Sequence, residues 1–235
     1  MRGGTVLHKV HLAPAARYSE DIDLVAIGDR PEGHIRKALL RVLRPLLGPE
    51  KSSVWDSVQL AVRNAAKPSR ILRCIYKLPS VAQPGRELTI EVEANVTERV
   101  PHFPVQRLPF AVEFRGAKLG TELVSYNVNE MLATKMRALF QRKKGRDLFD
   151  LYWALSVQSA LPVSIAQILQ AFAHYMQAEG EPVAREKFSA HLRECLADRA
   201  GFCTDLVSFL RRDLLYDPDV AGAFIERDLL ALLPE

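Results

Sequence analysis

The sequence predicts an α+β fold, with a small mixed sheet in the first half of the chain and α-helices in the second half. Before residue 100, short apolar segments at 58–62, 71–76 and 88–94 alternate with turn residues, which is typical of strands. From Asn127 onward, apolar residues recur at helical spacing. A chain of 235 residues suits one large or two small domains. We expect an α/β core at 1–122 and a helical domain at 123–235.

The first half is predicted to contain the following elements. A short helix runs from Val6 to about Leu12, and a strand runs from Tyr18 to Ile27. A helix follows from about Pro31 to Leu47, with Asp29 placed to cap it, and a loop covers 49–53. The segments 71–76 and 88–94 are expected to pair as an antiparallel hairpin through a turn at 79–86. Residues 100–120, rich in proline and glycine, are expected to run along the surface.

The second half is predicted to be a series of helices. Asn127 and Glu130 form a candidate capping box for the first of them, and Gly145 ends it. The remaining helices are expected at 146–156, 163–178, 182–197, 202–214 and 218–232.

Composition excludes several classes of protein. No run of about 18 apolar residues is present, so we expect no membrane partner. Three scattered cysteines form no disulfide framework and favour a reducing, cytoplasmic location. The six histidines lack zinc-site spacing, and His8 and His11 are interpreted as a polar flank of the short helix. A net charge of +4 weakly favours an anionic partner.

Two segments near the start have the residue types of a phosphate and metal site. Gly3-Gly4-Thr5 precedes the predicted short helix, where glycines let a phosphate approach backbone N–H groups. Asp21 and Asp23 are two residues apart on an apolar strand, so both point to one face. There they could hold Mg²⁺ against phosphate oxygens. A polar turn leading into a strand is the alternative for the aspartates alone.

A third carboxylate is expected on a neighbouring strand. Glu91 and Glu93 share one face of the segment 88–94, opposite its apolar residues. The pattern by itself does not choose between these two, and it also fits an exposed face of an amphipathic strand.

Three charged residues of the second half interrupt apolar helix faces. Lys135 lies within the apolar stripe of the helix from Val128, so it needs an anionic partner unless it extends to the solvent at the edge of the stripe. Asp147 and Asp150 share one face of the next helix. Helix capping explains Asp147, whereas Asp150 requires a buried partner or a site.

A basic cluster lies between these helices. Such clusters are usually solvated surface, but beside a metal–triphosphate site they could hold a nucleic-acid backbone. The members of this cluster are Arg137, Arg142, Lys143, Lys144 and Arg146.

Taken together, these segments resemble the AbiEii/AbiGii-type nucleotidyltransferase toxins, which include the MenT-like toxins and belong to the DNA polymerase β nucleotidyltransferase superfamily. The resemblance covers most of the first 155 residues. It rests on Arg2-Gly-Gly-Thr-Val-Leu, Arg17-Tyr-Ser-Glu-Asp-Ile-Asp-Leu, Glu93-Ala-Asn-Val-Thr-Glu, Glu130-Met-Leu-Ala-Thr-Lys-Met-Arg-Ala-Leu and Arg146-Asp-Leu-Phe-Asp-Leu.

The resemblance implies a polymerase β-like core and a role for each matching residue. The nucleotide-binding residues would be Gly3, Gly4, Thr5, Ser19, Lys135 and Asp147. The metal ligands would be Asp21, Asp23 and Glu93, because Glu93 matches the family's third acidic position better than Glu91 does. Lys135 would contact the phosphates, and Asp150 would complete the catalytic set.

The resemblance also implies a reaction and partners. The expected activity is Mg²⁺-dependent transfer of a nucleotide from an NTP to RNA, with the tRNA acceptor end as the preferred target, and an antitoxin is the expected protein partner. Transfer to a protein hydroxyl is an alternative. The family has a helix and a strand before the glycine motif, whereas here the motif follows Met1-Arg2. An inactive nucleotide- or RNA-binding remnant without that strand is therefore a further alternative.

Overall fold

The chain divides into two units, each built from separate stretches of the sequence. The computed structural model describes residues 1–47, 56–62, 70–80, 83–157, 161–180 and 182–235. The sheet unit comprises Met1–Thr5 and Glu20–Pro101, and the helical unit comprises Val6–Ser19 and His102–Glu235. The predicted division after residue 122 differs from this one, because it assigns 6–19 and 102–122 to the other unit. The predicted loop at 49–53 lies outside the described residues.

The sheet unit contains a four-stranded mixed sheet. Its strands are β1 (Asp21–Val25), β2 (Asp56–Val62), β3 (Arg70–Pro79) and β4 (Glu87–Asn95), in the order β1-β4-β3-β2. β1 and β4 are parallel, whereas β3 pairs antiparallel with both β4 and β2. The antiparallel pairing of β3 with β4 confirms the predicted hairpin.

Two helices begin in the sheet unit. α1 (Gly3–Val6) continues along the chain as a π-helical turn at Leu7–His11, and α2 spans Glu32–Leu47. One face of the sheet is apolar and packs against α2, with Ile22, Leu24, Cys74, Tyr76 and Val92 meeting Ile35, Leu39 and Leu43. Since side chains alternate along a strand, the residues between these point to the opposite face of the sheet.

The helical unit contains six helices among its described residues. They are α3 (Val128–Gln141), α4 (Gly145–Tyr152), α5 (Ile165–Ala178), α6 (Arg185–Ala197), α7 (Arg199–Val207) and α8 (Pro218–Asp228). π-Helical residues 153–157 extend α4, and a 3₁₀ turn at Leu230–Leu232 follows α8. α3 packs against α4 and α5, and α4 also packs against α7 and α8. No helix in the described ranges is both long and apolar enough to cross a bilayer.

The start of α3 confirms half of the predicted capping box. Asn127 caps the helix, since its side chain accepts a hydrogen bond from the Asn129 N–H at 2.8 Å. The Glu130 carboxylate instead accepts the N–H groups of His102 and Phe103, at 2.7 and 3.0 Å. Glu130 therefore fixes the chain that enters the helical unit.

The segment 100–120 lies largely at the surface, as expected, but it also forms strands that were not predicted. This stretch forms most of an antiparallel hairpin, β5 (Gln106–Phe114) and β6 (Ala117–Ser125). The turn between the strands uses positive φ angles at Arg115 and Gly116, 50° and 79°. Alternating apolar residues at positions 108, 110, 112 and 114 give this segment its strand pattern, which its proline and glycine content obscured.

Residues 6–19 belong to the helical unit because their last turn is bonded to its C-terminal part. Tyr18 donates its N–H to the Phe209 carbonyl at 2.8 Å, and Arg211 donates to the Ala16 carbonyl at 3.2 Å. Ala16 also packs with Phe149 in a buried cluster. The strand predicted from Tyr18 therefore begins only at Asp21.

Candidate functional site

The site residues predicted from the sequence fall into two groups, one in each unit. The sheet unit holds Gly3, Gly4, Thr5, Asp21, Asp23 and Glu93. The helical unit holds Ser19, Lys135, Asp147, Asp150 and the five basic residues at 137–146.

Four carboxylates share one face of the sheet, which we call the carboxylate face: Asp21, Asp23, Glu91 and Glu93. The parallel register of β1 and β4 places Asp21 opposite Glu91 and Asp23 opposite Glu93. Parallel neighbours lie about 4.8 Å apart, so the side chains of each pair are adjacent. Both glutamates thus lie beside the aspartates, and Glu93 is the more buried of the two.

The glycine motif is bonded along the outer edge of β1. Arg2 donates its backbone N–H to the Asp23 carbonyl at 3.0 Å, and the Thr5 hydroxyl donates to the Asp21 carbonyl. Gly3 has a φ of +83°, and a Cβ atom there would lie 2.0 Å from Asp23 Oδ2. The Asp23 carboxylate therefore rests on the Gly3 backbone, a position that only glycine can fill.

Arg73 of β3 also lies on the carboxylate face, and it was not among the predicted site residues. It is the register partner of Glu93, and its guanidinium donates to Glu93 Oε1 from Nε at 2.9 Å while also pairing with Glu91. The hydrogen bond to Glu93 raises the pKa of Arg73. A charged residue between the apolar Leu72 and Cys74 was the signal that could have revealed it.

The carboxylates influence one another. Burial raises the pKa of Glu91, and the charges of Glu93 and Asp21 raise it further against the opposing effect of Arg73. Like charges held this close favour a cation among them.

The donor set of this face fits Mg²⁺. All four side chains offer carboxylate oxygens, and Mg²⁺ is typically held by one or two carboxylates together with water and substrate phosphates. Asp21 and Asp23 meet that requirement. Within the described residues no three acidic, histidine or cysteine side chains are grouped as a complete metal cage. Phosphate and water oxygens would therefore supply the remaining ligands.

The second group is a buried ion network in the helical unit, formed by Asp147 and Asp150 with Arg17, Lys135 and Arg142. Asp150 is fully buried and accepts two hydrogen bonds from Arg17, at 2.6 and 2.7 Å. The Lys135 ammonium lies 2.8 Å from Asp150 and 3.1 Å from Asp147. Arg142 binds both oxygens of Asp147, at 2.7 and 3.0 Å. The predicted anionic partners of Lys135 are thus these two aspartates.

Charge compensation keeps both aspartates ionised. Burial would raise the pKa of Asp150, but Lys135, Arg17 and His8 hold it well below the usual value. Burial would likewise raise the pKa of Asp147, but Lys135 and Arg142 lower it below the usual value. Three cations therefore neutralise two carboxylates that would otherwise be costly to bury.

The interpretation of His8 as a polar flank was wrong. His8 is fully buried, and its Nε2 lies 2.7 Å from Asp150 Oδ1. Burial lowers the pKa of His8 despite the adjacent carboxylate. Ser19, predicted to bind nucleotide, is half-buried at the end of the segment 6–19. The sequence did not reveal that His8 and Arg17 contact Asp150, because Asp150 is more than 130 residues away from both.

The basic cluster does not form one uniform surface. Arg137 is buried and pairs with Glu179 at 3.1 Å, and Arg142 belongs to the buried ion network. Lys143 pairs with Glu194 at 2.6 Å and Arg146 with Asp205 at 3.4 Å, while Lys144 is exposed. The side chains of Arg142 and Lys143 are nevertheless 42% and 49% exposed, so each also reaches the solvent.

Comparison with known proteins identifies a family for this chain and a solved structure with a similar fold. Residues 1–223 match the family described as nucleotidyl transferase AbiEii toxin of type IV toxin–antitoxin systems. The fold is similar to that of MenT4, a nucleotidyltransferase toxin from Mycobacterium tuberculosis H37Rv, with a TM-score of 0.51 and 18% sequence identity. That similarity covers 100% of this chain and 84% of the MenT4 chain. Comparison with curated proteins finds no match.

Proposed function

This chain belongs to the AbiEii family of nucleotidyltransferase toxins of type IV toxin–antitoxin systems, and we propose that it transfers a nucleoside monophosphate from an NTP to RNA. The preferred acceptor is the 3′ end of tRNA, as the family resemblance of the sequence suggests. Such an acceptor places the reaction in the cytoplasm. The cognate antitoxin is the proposed protein partner.

The observation that carries this proposal is the carboxylate face. Asp21 and Asp23 lie in register with Glu91 and Glu93, and the Asp23 carboxylate rests against the Gly3 backbone. Carboxylates of the kind that hold Mg²⁺ thus lie beside a glycine segment, and this supports a site for a metal-bound triphosphate.

Each residue of this face has a proposed task. Asp21 and Asp23, with Glu93 as the third acidic residue, would hold Mg²⁺. Bound there, Mg²⁺ would neutralise phosphate charge and lower the pKa of the acceptor hydroxyl. Gly3, Gly4 and Thr5 would orient the triphosphate.

At the α-phosphorus, the reaction forms one P–O bond and breaks another. The acceptor hydroxyl oxygen attacks the α-phosphorus, and the bond between that phosphorus and the bridging oxygen to the β-phosphate breaks. Pyrophosphate leaves, and Glu93 on β4 would either hold the metal or take the hydroxyl proton.

We assign the helical unit to support and to RNA contact. On the family resemblance, Ser19, Lys135 and Asp147 would contact the nucleotide, and Asp150 would complete the catalytic set. The exposed cations Arg142, Lys143 and Lys144 are the proposed contacts to the RNA backbone, with Arg137 and Arg146 supporting them.

Label transfer tests the proposal directly. The full chain is incubated with Mg²⁺, total tRNA and each of four α-³²P-labelled NTPs, beside an Asp21→Ala/Asp23→Ala double variant. We expect label on RNA from at least one NTP and none with the variant. Label that appears on protein and not on RNA would establish the protein-modifying alternative. Absence of label from every NTP would favour the inactive remnant.

A further inference from the structure

Arg73 places a positive charge where the proposed function requires a metal cation. Its guanidinium contacts Glu91 and Glu93, which are the register partners of Asp21 and Asp23. The inference below rests on the proposed function, because it concerns the metal affinity of the carboxylate face.

The contact between Arg73 and Glu93 engages one carboxylate oxygen with two donors. Both Nε and a terminal nitrogen of Arg73 donate to Glu93 Oε1. Guanidinium donors and a divalent cation need the same lone pairs of that oxygen. Glu93 therefore cannot offer this oxygen to a metal while it keeps both hydrogen bonds to Arg73.

The position of Arg73 argues against a purely structural ion pair. About a third of its side chain is exposed, and pairs at such positions contribute little to stability. The same two strands carry a second cross-strand pair, Lys77 with Glu87 at 3.2 Å, nearer the end of the sheet. Residues 73 and 77 lie on one face of β3, so Lys77 provides a charge-matched comparison.

We propose that Arg73 is the internal counter-ion of the carboxylate face and sets its affinity for divalent cations. Without metal, the guanidinium offsets one of the two negative charges of Glu91 and Glu93. To hold a cation with the same oxygen, Glu93 would have to give up a hydrogen bond to Arg73. Arg73 thereby keeps metal binding weak until the phosphates of an NTP supply further ligands.

Mn²⁺ binding without NTP or RNA tests this role independently of activity. Free Mn²⁺ is measured by electron paramagnetic resonance during titration of the full chain. We expect Arg73→Gln to bind Mn²⁺ about tenfold more tightly than wild type, because a cation near the ligands has been removed. Lys77→Gln should change the affinity by less than about twofold. Arg73→Lys keeps the charge but not the paired guanidinium donors, so its affinity should lie between those of wild type and Arg73→Gln.

Two controls separate the possible failures. Circular dichroism verifies folding, and Arg73→Met carries the same expectation if Arg73→Gln does not fold. Asp23→Asn should weaken Mn²⁺ binding. Two results would show that the metal site of the proposed function is wrong: normal Mn²⁺ binding by Asp23→Asn, or no Mn²⁺ binding by either wild type or Arg73→Gln. The proposed role of Arg73 would then be wrong as well. Unchanged or weaker binding by Arg73→Gln, with Asp23→Asn behaving as expected, overturns the role of Arg73 alone.

Discussion

The carboxylate face and the buried ion network contain similar residue types, but we expect the first to bind substrate and the second to stabilise the fold. The carboxylate face is partly open, and one arginine bridges two of its four acidic side chains. The buried ion network encloses two aspartates and satisfies them with three cations and a histidine. An open, acid-rich surface can accept a metal and phosphates, whereas a neutralised and buried one holds helices in place. The difference separates residues expected to act on substrate from residues expected to stabilise the fold.

The largest expected effect is on transfer by Asp23→Asn. We expect activity to fall by at least about 1,000-fold, because a metal ligand loses its charge. The free energy of unfolding should change by less than about 1 kcal/mol, since the side chain is only half-buried. Label transfer and urea unfolding measure the two effects. Asp29→Asn, at an exposed position after β1, should retain full activity. Retained activity in Asp23→Asn would remove the carboxylate face from the site.

The second prediction concerns the buried ion network, where we expect a substitution to affect mainly stability. Asp150→Asn should lower the free energy of unfolding by about 3–5 kcal/mol, because Arg17 and Lys135 lose the charge that compensates their burial. Denaturant unfolding monitored by circular dichroism measures this effect. Asp213→Asn removes an exposed ion pair with Arg211 and should hardly change stability. Equal stability of Asp150→Asn and wild type would contradict the structural role of the network.

Gly3→Ala tests the contact between the glycine motif and the carboxylate face. The new Cβ would overlap Asp23 Oδ2, so we expect the aspartate to move and transfer to fall about 100-fold. Gly28→Ala is the matched control, because Gly28 has a similar φ of +85° but no atom within 4 Å of the added Cβ. An alanine at either position must adopt a positive φ, so both variants carry similar backbone strain. Equal transfer rates for the two would show that Asp23 does not depend on Gly3.

The smallest expected effect is the pH dependence of stability in the helical unit. Burial lowers the pKa of His11 to about 4 and also lowers that of His8. The unfolded chain therefore binds protons more readily than the folded chain, and stability is full above pH 6.5 and falls as the pH drops toward 4. His11→Gln should reduce this fall by about 2 kcal/mol, less than the full shift would give because the ring is only half-buried. His34→Gln, at an exposed position of α2, is the control. Parallel curves for wild type and His11→Gln would contradict the assignment.

Local patterns in the sequence were sufficient for most elements. The apolar periodicity of 31–47 and 163–178 predicted α2 and α5 within about two residues at each end, and Asn127 marked the start of α3. The hairpin at 106–125 was missed because proline and glycine outweighed a clear alternation. The strand propensity of individual residues is a weak guide where packing between strands decides whether a strand forms.

The sequence by itself determined the fold class, the family and the two aspartates of β1, because helix period, strand alternation and short motifs are local properties of the chain. Only the tertiary structure revealed that Arg73 bridges Glu91 and Glu93, and that His8 and Arg17 meet Asp150. Those contacts join residues 18 to 142 positions apart, and their geometry depends on strand order and helix packing. A charged residue in an apolar segment indicates that a partner exists, but the fold decides which one.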